Sequence, residues 1–228
     1  MMLVDSEKII DLGAFLINKE ISIKECDLGC TKVYVIEKFY EDFERAHNQM
    51  LKLPFAPILE TDNITHFDGR SSYSKSMSKT GCSLTLDFKY LVSQVAGVDP
   101  EQVEVPDRIL FNAFKFTTDW FDYSKYWYNV HTDLAQSDNN NLISMVLYMN
   151  HYYERGEGLN MYNYTNKDTK FSIPFEEKEK YPPIFTLQAE PNTAILFNGH
   201  MPHGPCIATD QFSKEIRYSQ VSFAWVEA

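Results

Sequence analysis

The chain has 228 residues, 44% of them hydrophobic and 23% charged, with a formal net charge of −11. That length and apolar content can bury a sizeable core without disulfide or metal staples. The acidic balance speaks against a nucleic-acid backbone or an anionic membrane surface as the main partner. No apolar run approaches the roughly 20 residues of a membrane-spanning helix.

Cys26, Cys30, Cys82 and Cys206 are irregularly spaced, and no second Cys/His pair of zinc spacing accompanies the first two. Reduced thiols are expected. Residues 1–7 carry neither a basic segment nor a long apolar one. Together these features lead us to expect a cytoplasmic protein of one domain, residues 1–228.

In chain order, Ile9-Ile10 and Phe15-Leu16-Ile17 are short apolar segments, and 32–36 has the β-branched and aromatic content of a strand. Phe39, Phe43, Ala46, Met50 and Leu53 recur at three- and four-residue spacing, which predicts a helix over 37–53 ended by Pro54 and Pro57. The polar stretch 61–79, which holds Arg70, reads as a surface loop. A second helical pattern runs over 84–98 and closes at Gly97 and Asp99-Pro100.

After Pro106 the pattern turns to strands, expected at about 109–117, 126–132, 142–149, 159–164, 184–188, 193–198 and 215–226. Polar turns separate them, and 165–183 is a charged excursion that could border a site. The expected class is therefore mainly β with flanking helices (α+β), as a sandwich or barrel such as a jelly roll. Residues 1–106 form a mixed N-terminal elaboration that covers the core, and 107–228 form the core itself.

The chemistry centres on His131-Thr132-Asp133. In extended backbone, alternate side chains share a face, so an imidazole and a carboxylate reach one point. One more nitrogen ligand would complete a two-histidine, one-carboxylate site of the kind that holds non-haem Fe(II). The strand 193–197 runs into Asn198-Gly199-His200-Met201-Pro202-His203, where either histidine could be that ligand. Farther on, Arg217 and Ser219 share one face of the last strand.

Six segments lie in a telling order: His131-Thr132-Asp133, Val146-Leu147-Tyr148-Met149-Asn150, Gly156-Glu157-Gly158-Leu159, Ile195-Leu196-Phe197, His203 and Arg217. Over residues 109–226 this set resembles the Fe(II)- and 2-oxoglutarate-dependent dioxygenases, in particular the prolyl-hydroxylase branch. The resemblance implies a double-stranded β-helix (jelly-roll, cupin-like) core. It implies Fe(II), 2-oxoglutarate and O2 as the cofactor and co-substrates. His131, Asp133 and His203 would be the metal ligands, with His203 preferred to His200 because Gly204-Pro205 follow it.

Arg217 and Ser219 would bind the distal carboxylate of 2-oxoglutarate, a buried anion that needs a cationic partner. The spacing from His203 to Arg217 is wider than is usual in the family, and the polar segment 209–214 accounts for it. Tyr128 and Asn112 are expected as further co-substrate contacts, and Arg70 and Lys115 as substrate contacts. The carboxylate of Asp133 favours hydroxylation over halogenation. The implied reaction oxidises a C–H bond of an amino-acid-like small molecule or a protein residue and releases succinate and CO2. The expected partner is thus a small-molecule or peptide substrate, with no nucleic acid and no membrane. A cupin-like metal- or ligand-binding protein and a zinc hydrolase are the competing readings. Neither needs Arg217 with Ser219.

Overall fold

The computed structural model describes residues 11–53, 55–57, 71–78, 83–106, 108–115, 130–134, 141–163 and 180–227. Twelve strands and three helices follow in chain order among them: β1 (Ser22–Asp27), β2 (Lys32–Glu37), α1 (Phe43–Met50), β3 (Ala56–Pro57), β4 (Ser71–Ser78), α2 (Ser83–Ala96), β5 (Val103–Glu104), β6 (Arg108–Lys115), β7 (Asn141–Tyr148), β8 (Gly158–Met161), β9 (Phe185–Gln188), β10 (Ala194–Asn198), β11 (His203–Cys206), α3 (Gln211–Lys214) and β12 (Arg217–Val226). The protein is mainly β with flanking helices, as the sequence led us to expect.

The strands form two antiparallel sheets. The large sheet runs β1-β2-β10-β7-β12-β6-β4-β3, with β5 on the end of β12, and the small one runs β11-β8-β9. Both faces of the large sheet are covered, and alternation along each strand decides which residue meets which layer. Met145 and Leu147 of β7, Ala194 and Leu196 of β10 and Ala224 of β12 turn to one face. They pack there with Phe88, Leu91 and Val92 of α2 and Ala46 and Met50 of α1.

Tyr148 and Val146 of β7 and Ile195 and Phe197 of β10 turn to the other face, against Leu159, Met161, Phe185 and Leu187 of the small sheet. The space between the two sheets is therefore a barrel interior. The close approach of the small sheet's strands is visible at Gly158, where a Cβ would stand 1.9 Å from the Leu187 carbonyl oxygen.

Two expectations needed correction. The helix expected over 37–53 covers only Phe43–Met50, where the Asp42 side chain accepts the Arg45 N–H at 3.0 Å. The residues before it are drawn into tertiary contacts. Lys38 has φ 55, and Asn192 brackets Tyr40 through both backbone groups at 2.7 and 2.9 Å. Phe39 and Tyr40 are buried all the same, which is why their apolar spacing imitated a helix.

Within the polar stretch read as a loop, Ser71–Ser78 is a strand that pairs with β6 along its whole length. Backbone hydrogen bonds make that pairing, so the side-chain pattern did not announce it. Helix α2 appears where expected. The excursion 165–183 lies outside the described residues up to 179, and of the strand expected at 126–132 only 130–132 are described.

Candidate metal and co-substrate site

The segment 130–134 lies along β11. His131 and His203 exchange both backbone hydrogen bonds, at 2.8 and 2.9 Å, and the N–H groups of Asp133 and Leu134 donate to the Gly199 carbonyl at 2.9 and 3.1 Å. This pairing sets the alternation: Thr132 is buried on one side, while His131 and Asp133 turn to the other. The ligand-type atoms of His131, Asp133 and His203 all lie within 4.8 Å of one another. His200 is not part of this cluster. Its N–H donates to the Asn198 side chain at 2.9 Å.

His131 Nε2 stands 3.6 Å from Asp133 Oδ1, and His203 Nε2 stands 3.7 Å from Asp133 Oδ2. Both distances are too long for a hydrogen bond, so three ligand atoms face a common point without bonding to each other. His203 Nδ1 lies 2.9 Å from the Met201 carbonyl. A carbonyl oxygen only accepts, so the proton is on Nδ1 and the Nε2 lone pair is turned to the cluster. The Phe197 ring meets the His203 ring edge-on at 4.6 Å and fixes its plane.

Burial alone would raise the Asp133 pKa. The His203 and His131 rings and the Ser144 hydroxyl outweigh it and hold the carboxyl down at about 2. Burial, with His131 beside it, lowers His203 to about 4. At neutral pH the cluster offers a carboxylate and a neutral imidazole, the protonation states a metal ion requires. The donor set fits the facial iron site, and its outer ligand-type residue, His131, is half exposed.

The other end of the barrel interior holds Arg217, which is only 7% exposed. Its terminal nitrogen donates to the Gly158 carbonyl at 3.2 Å. Among the described residues no carboxylate forms an ion pair with it, and its Nε has no hydrogen-bond partner. A buried guanidinium without a counter-charge is costly, and an anion in the same cavity would satisfy it.

Strand register supplies its neighbours: Ser219 lies opposite Asn112 of β6 and Tyr148 of β7, so all three turn to the face that carries Arg217. Each of the three is buried. The Tyr148 hydroxyl has no geometric hydrogen bond, and burial pushes its pKa up to about 12 despite the nearby guanidinium, so it remains a donor. Ser144 and Tyr148 stand on the same face of β7, four residues and about 13 Å apart along the strand. One strand thus reaches from the His-Asp-His cluster to the surroundings of Arg217.

Of the residues singled out in the sequence, His131, Asp133 and His203 come together at one end, and Arg217, Ser219 and Asn112 at the other. Tyr128 and Arg70 lie outside the described residues. Lys115 ends β6 opposite Ser71, and its side chain is likewise outside them. Sequence reasoning did not single out Tyr148, Ser144 or Phe197 as site residues, although the first two sit on alternate positions of one β pattern. It also did not foresee β11, the strand that presents His203.

No protein-family model matches the sequence, and no curated protein sequence matches it. Solved structures do match in three dimensions. A Pseudomonas putida prolyl-4-hydroxylase is 13% identical with a TM-score of 0.50, over 89% of this chain and 96% of that one. An oxidoreductase of the 2OG-Fe(II) oxygenase family from Burkholderia pseudomallei is 13% identical with a TM-score of 0.53, over 84% of each chain. EvdO2 from Micromonospora carbonacea var. aurantiaca, complexed with 2-oxoglutarate, is 10% identical with a TM-score of 0.52, over 91% of this chain and 94% of that one. This chain has the fold of the 2OG-Fe(II) oxygenases. The expected double-stranded β-helix is therefore its architecture, and the His131–Asp133–His203 cluster lies inside that barrel. Among the described residues, no helix is long and apolar enough to cross a membrane.

Proposed function

We propose that the protein is a non-haem Fe(II)- and 2-oxoglutarate-dependent oxygenase that hydroxylates an unactivated C–H bond. The observation that carries this reading is one barrel with a His-Asp-His cluster at one end and, at the other, a buried arginine that forms no ion pair among the described residues. A metal-binding cupin or a zinc hydrolase has use for the first and no need of the second.

His131, Asp133 and His203 would hold the iron, each by one atom. Asp133 supplies the negative charge, and the Met201 carbonyl keeps the lone pair of His203 turned inward. Arg217, with Ser219, Tyr148 and Asn112 beside it, would bind the distal carboxylate of 2-oxoglutarate, and burial keeps water from competing for the guanidinium. Iron and 2-oxoglutarate, when bound, supply the oxidising chemistry with O2, leaving succinate and CO2 beside the hydroxylated product. The protein's own task is to hold the co-substrate at both ends and leave the half-exposed His131 side open to the substrate.

The substrate in this reading is an amino-acid-like small molecule or a protein residue, with Arg70 and Lys115 as its contacts and Tyr128 as a further co-substrate contact. The chain acts as one domain in which residues 1–106 cover a catalytic core at 107–228.

The direct test is an anaerobic ultraviolet–visible titration with Fe(II) and then 2-oxoglutarate. A weak visible charge-transfer band that needs both additions, survives in His200→Ala and is lost in His203→Ala, is the expected result. Bound iron with no such band would refute the oxygenase reading in favour of a cupin-like binder.

A further inference from the structure

The segment that lengthens the path from His203 to Arg217 does more than bridge it. Residues 209–214 are Thr-Asp-Gln-Phe-Ser-Lys, polar except for one aromatic, and that aromatic is fully buried, with Phe212 at 0% exposure. A surface excursion needs no buried phenylalanine to close, so the ring is there because of what it packs against. It packs against the anchor. The guanidinium carbon of Arg217 lies 6.0 Å from the Phe212 ring centre and 5.7 Å from that of Tyr148. Tyr153 meets both rings, Phe212 at 5.8 Å and Tyr148 at 5.4 Å, each at a steep angle. Arg217 is thus set against two aromatic rings that Tyr153 backs, and among the described residues its one hydrogen bond is to the Gly158 carbonyl.

The segment is tied down just before Phe212, at Thr209 and at Gln211. The buried carboxylate of Glu157 accepts the N–H and the hydroxyl of Thr209 at 3.0 and 2.7 Å. The Gln211 side chain accepts the Glu154 N–H at 2.8 Å and donates to the Tyr152 carbonyl at 3.1 Å.

We propose that Phe212 is a positioning residue for Arg217, so that the insertion 209–214 is a structural part of the co-substrate anchor. The proposal rests on the oxygenase reading above. A ring face attracts a guanidinium without occupying any of its N–H donors. Phe212 therefore fixes the plane of the arginine and leaves its Nε and remaining N–H groups to a bound carboxylate. An aliphatic side chain of similar volume would fill the space and lose that attraction.

The test uses the full-length protein loaded with Mn(II) under anaerobic conditions, titrated with 2-oxoglutarate and followed by calorimetry and by the Mn(II) electron paramagnetic resonance signal. Phe212→Leu is the main variant, and Phe212→Met, a more adaptable side chain, is the second. The expected result is an increase of about tenfold in the 2-oxoglutarate Kd. Mn(II) affinity stays within about twofold, because the metal ligands are at the other end of the barrel. In an Arg217→Met background, Phe212→Leu has no further effect. An unchanged Kd in both variants, or the same factor with and without Arg217, would overturn the role of Phe212 while leaving the oxygenase reading intact. Failure of the unmodified Mn(II) protein to bind 2-oxoglutarate would overturn that reading itself, and this one with it.

Discussion

The two ends of the barrel interior are built by different means and exposed to different degrees. The metal end is assembled by backbone pairing between the short segment at His131 and β11, and its outer histidine side chain is 52% exposed. The anchor end is assembled by side-chain alternation on three adjacent strands, and Arg217 is 7% exposed. The proposed function accounts for the difference. A reacting centre has to admit a substrate. A charged anchor has to exclude water, because a guanidinium–carboxylate pair gains strength only where solvent does not screen it.

The comparison can be broken most sharply at the metal end. Asp133→Ala or His203→Ala should cost more than the 10–100-fold in metal affinity typical of losing an outer-sphere partner, so about 100-fold or more. Isothermal titration with Fe(II) or Mn(II) would show it, and near-normal affinity in either variant would remove that residue from the ligand set.

At the anchor end, Arg217→Met should weaken 2-oxoglutarate binding by about 100-fold, from about 2–5 kcal/mol for truncating one partner of a buried charge pair. The same change should leave metal affinity intact, and the ligand-free protein should melt close to the unmodified one, because among the described residues the buried guanidinium forms no ion pair and loses only the longer-range attraction of Glu157. A large drop in the melting temperature without ligand would mean that a protein carboxylate already compensates Arg217.

The wall between the ends can be tested at Gly158. A methyl group there would overlap the Leu187 carbonyl, so Gly158→Ala should destabilise the protein by about 3 kcal/mol, the upper end for overpacking. Urea unfolding would measure it, and an unchanged midpoint would mean that β9 is not pressed against β8 as described. Tyr148→Phe should sharpen the picture with a smaller effect. It deletes a buried hydroxyl that has no hydrogen bond in the ligand-free protein, so stability should hold or rise while 2-oxoglutarate binding weakens by about tenfold.

The smallest effect concerns pH. Burial raises the Glu157 pKa above its ordinary value, against the bonds from Thr209 and the pull of Arg217. The folded state then carries a penalty above the raised pKa. That penalty fades as pH falls through it and is gone below the ordinary carboxyl value. Glu157→Gln keeps an acceptor for Thr209 and removes the charge. Its stability should exceed that of the parent at neutral pH and match it near pH 4, as followed by thermal melts across that range.

Much of this molecule could be read in its sequence. β7 and β10 read as near-continuous apolar runs because each is buried on both faces, and a one-residue slip would exchange the two layers. The two-residue period of an extended strand places Arg217 and Ser219 on one face, and the His-x-Asp spacing puts two ligand-type groups together for the same reason. Helix α2 was legible because its apolar residues meet a single layer at helical spacing.

Other features were not legible. The apolar spacing over 37–53 was real, but Phe39 and Tyr40 are buried by tertiary bonds to Asn192, so only Phe43–Met50 is helix. The strand Ser71–Ser78 has a polar sequence and exists through backbone pairing with β6. Strand β11 contains Gly204 and Pro205, residues that discourage a strand assignment.

By itself the sequence determined which residue types were available and which face each central strand would give them. The tertiary structure decided that His203, which the family resemblance favoured, joins the cluster and His200 does not, that Arg217 forms no ion pair among the described residues, and that Phe212 closes on it. Those outcomes depend on distances between segments far apart in the chain. Periodicity is a local property and carries no information about which distant segments meet.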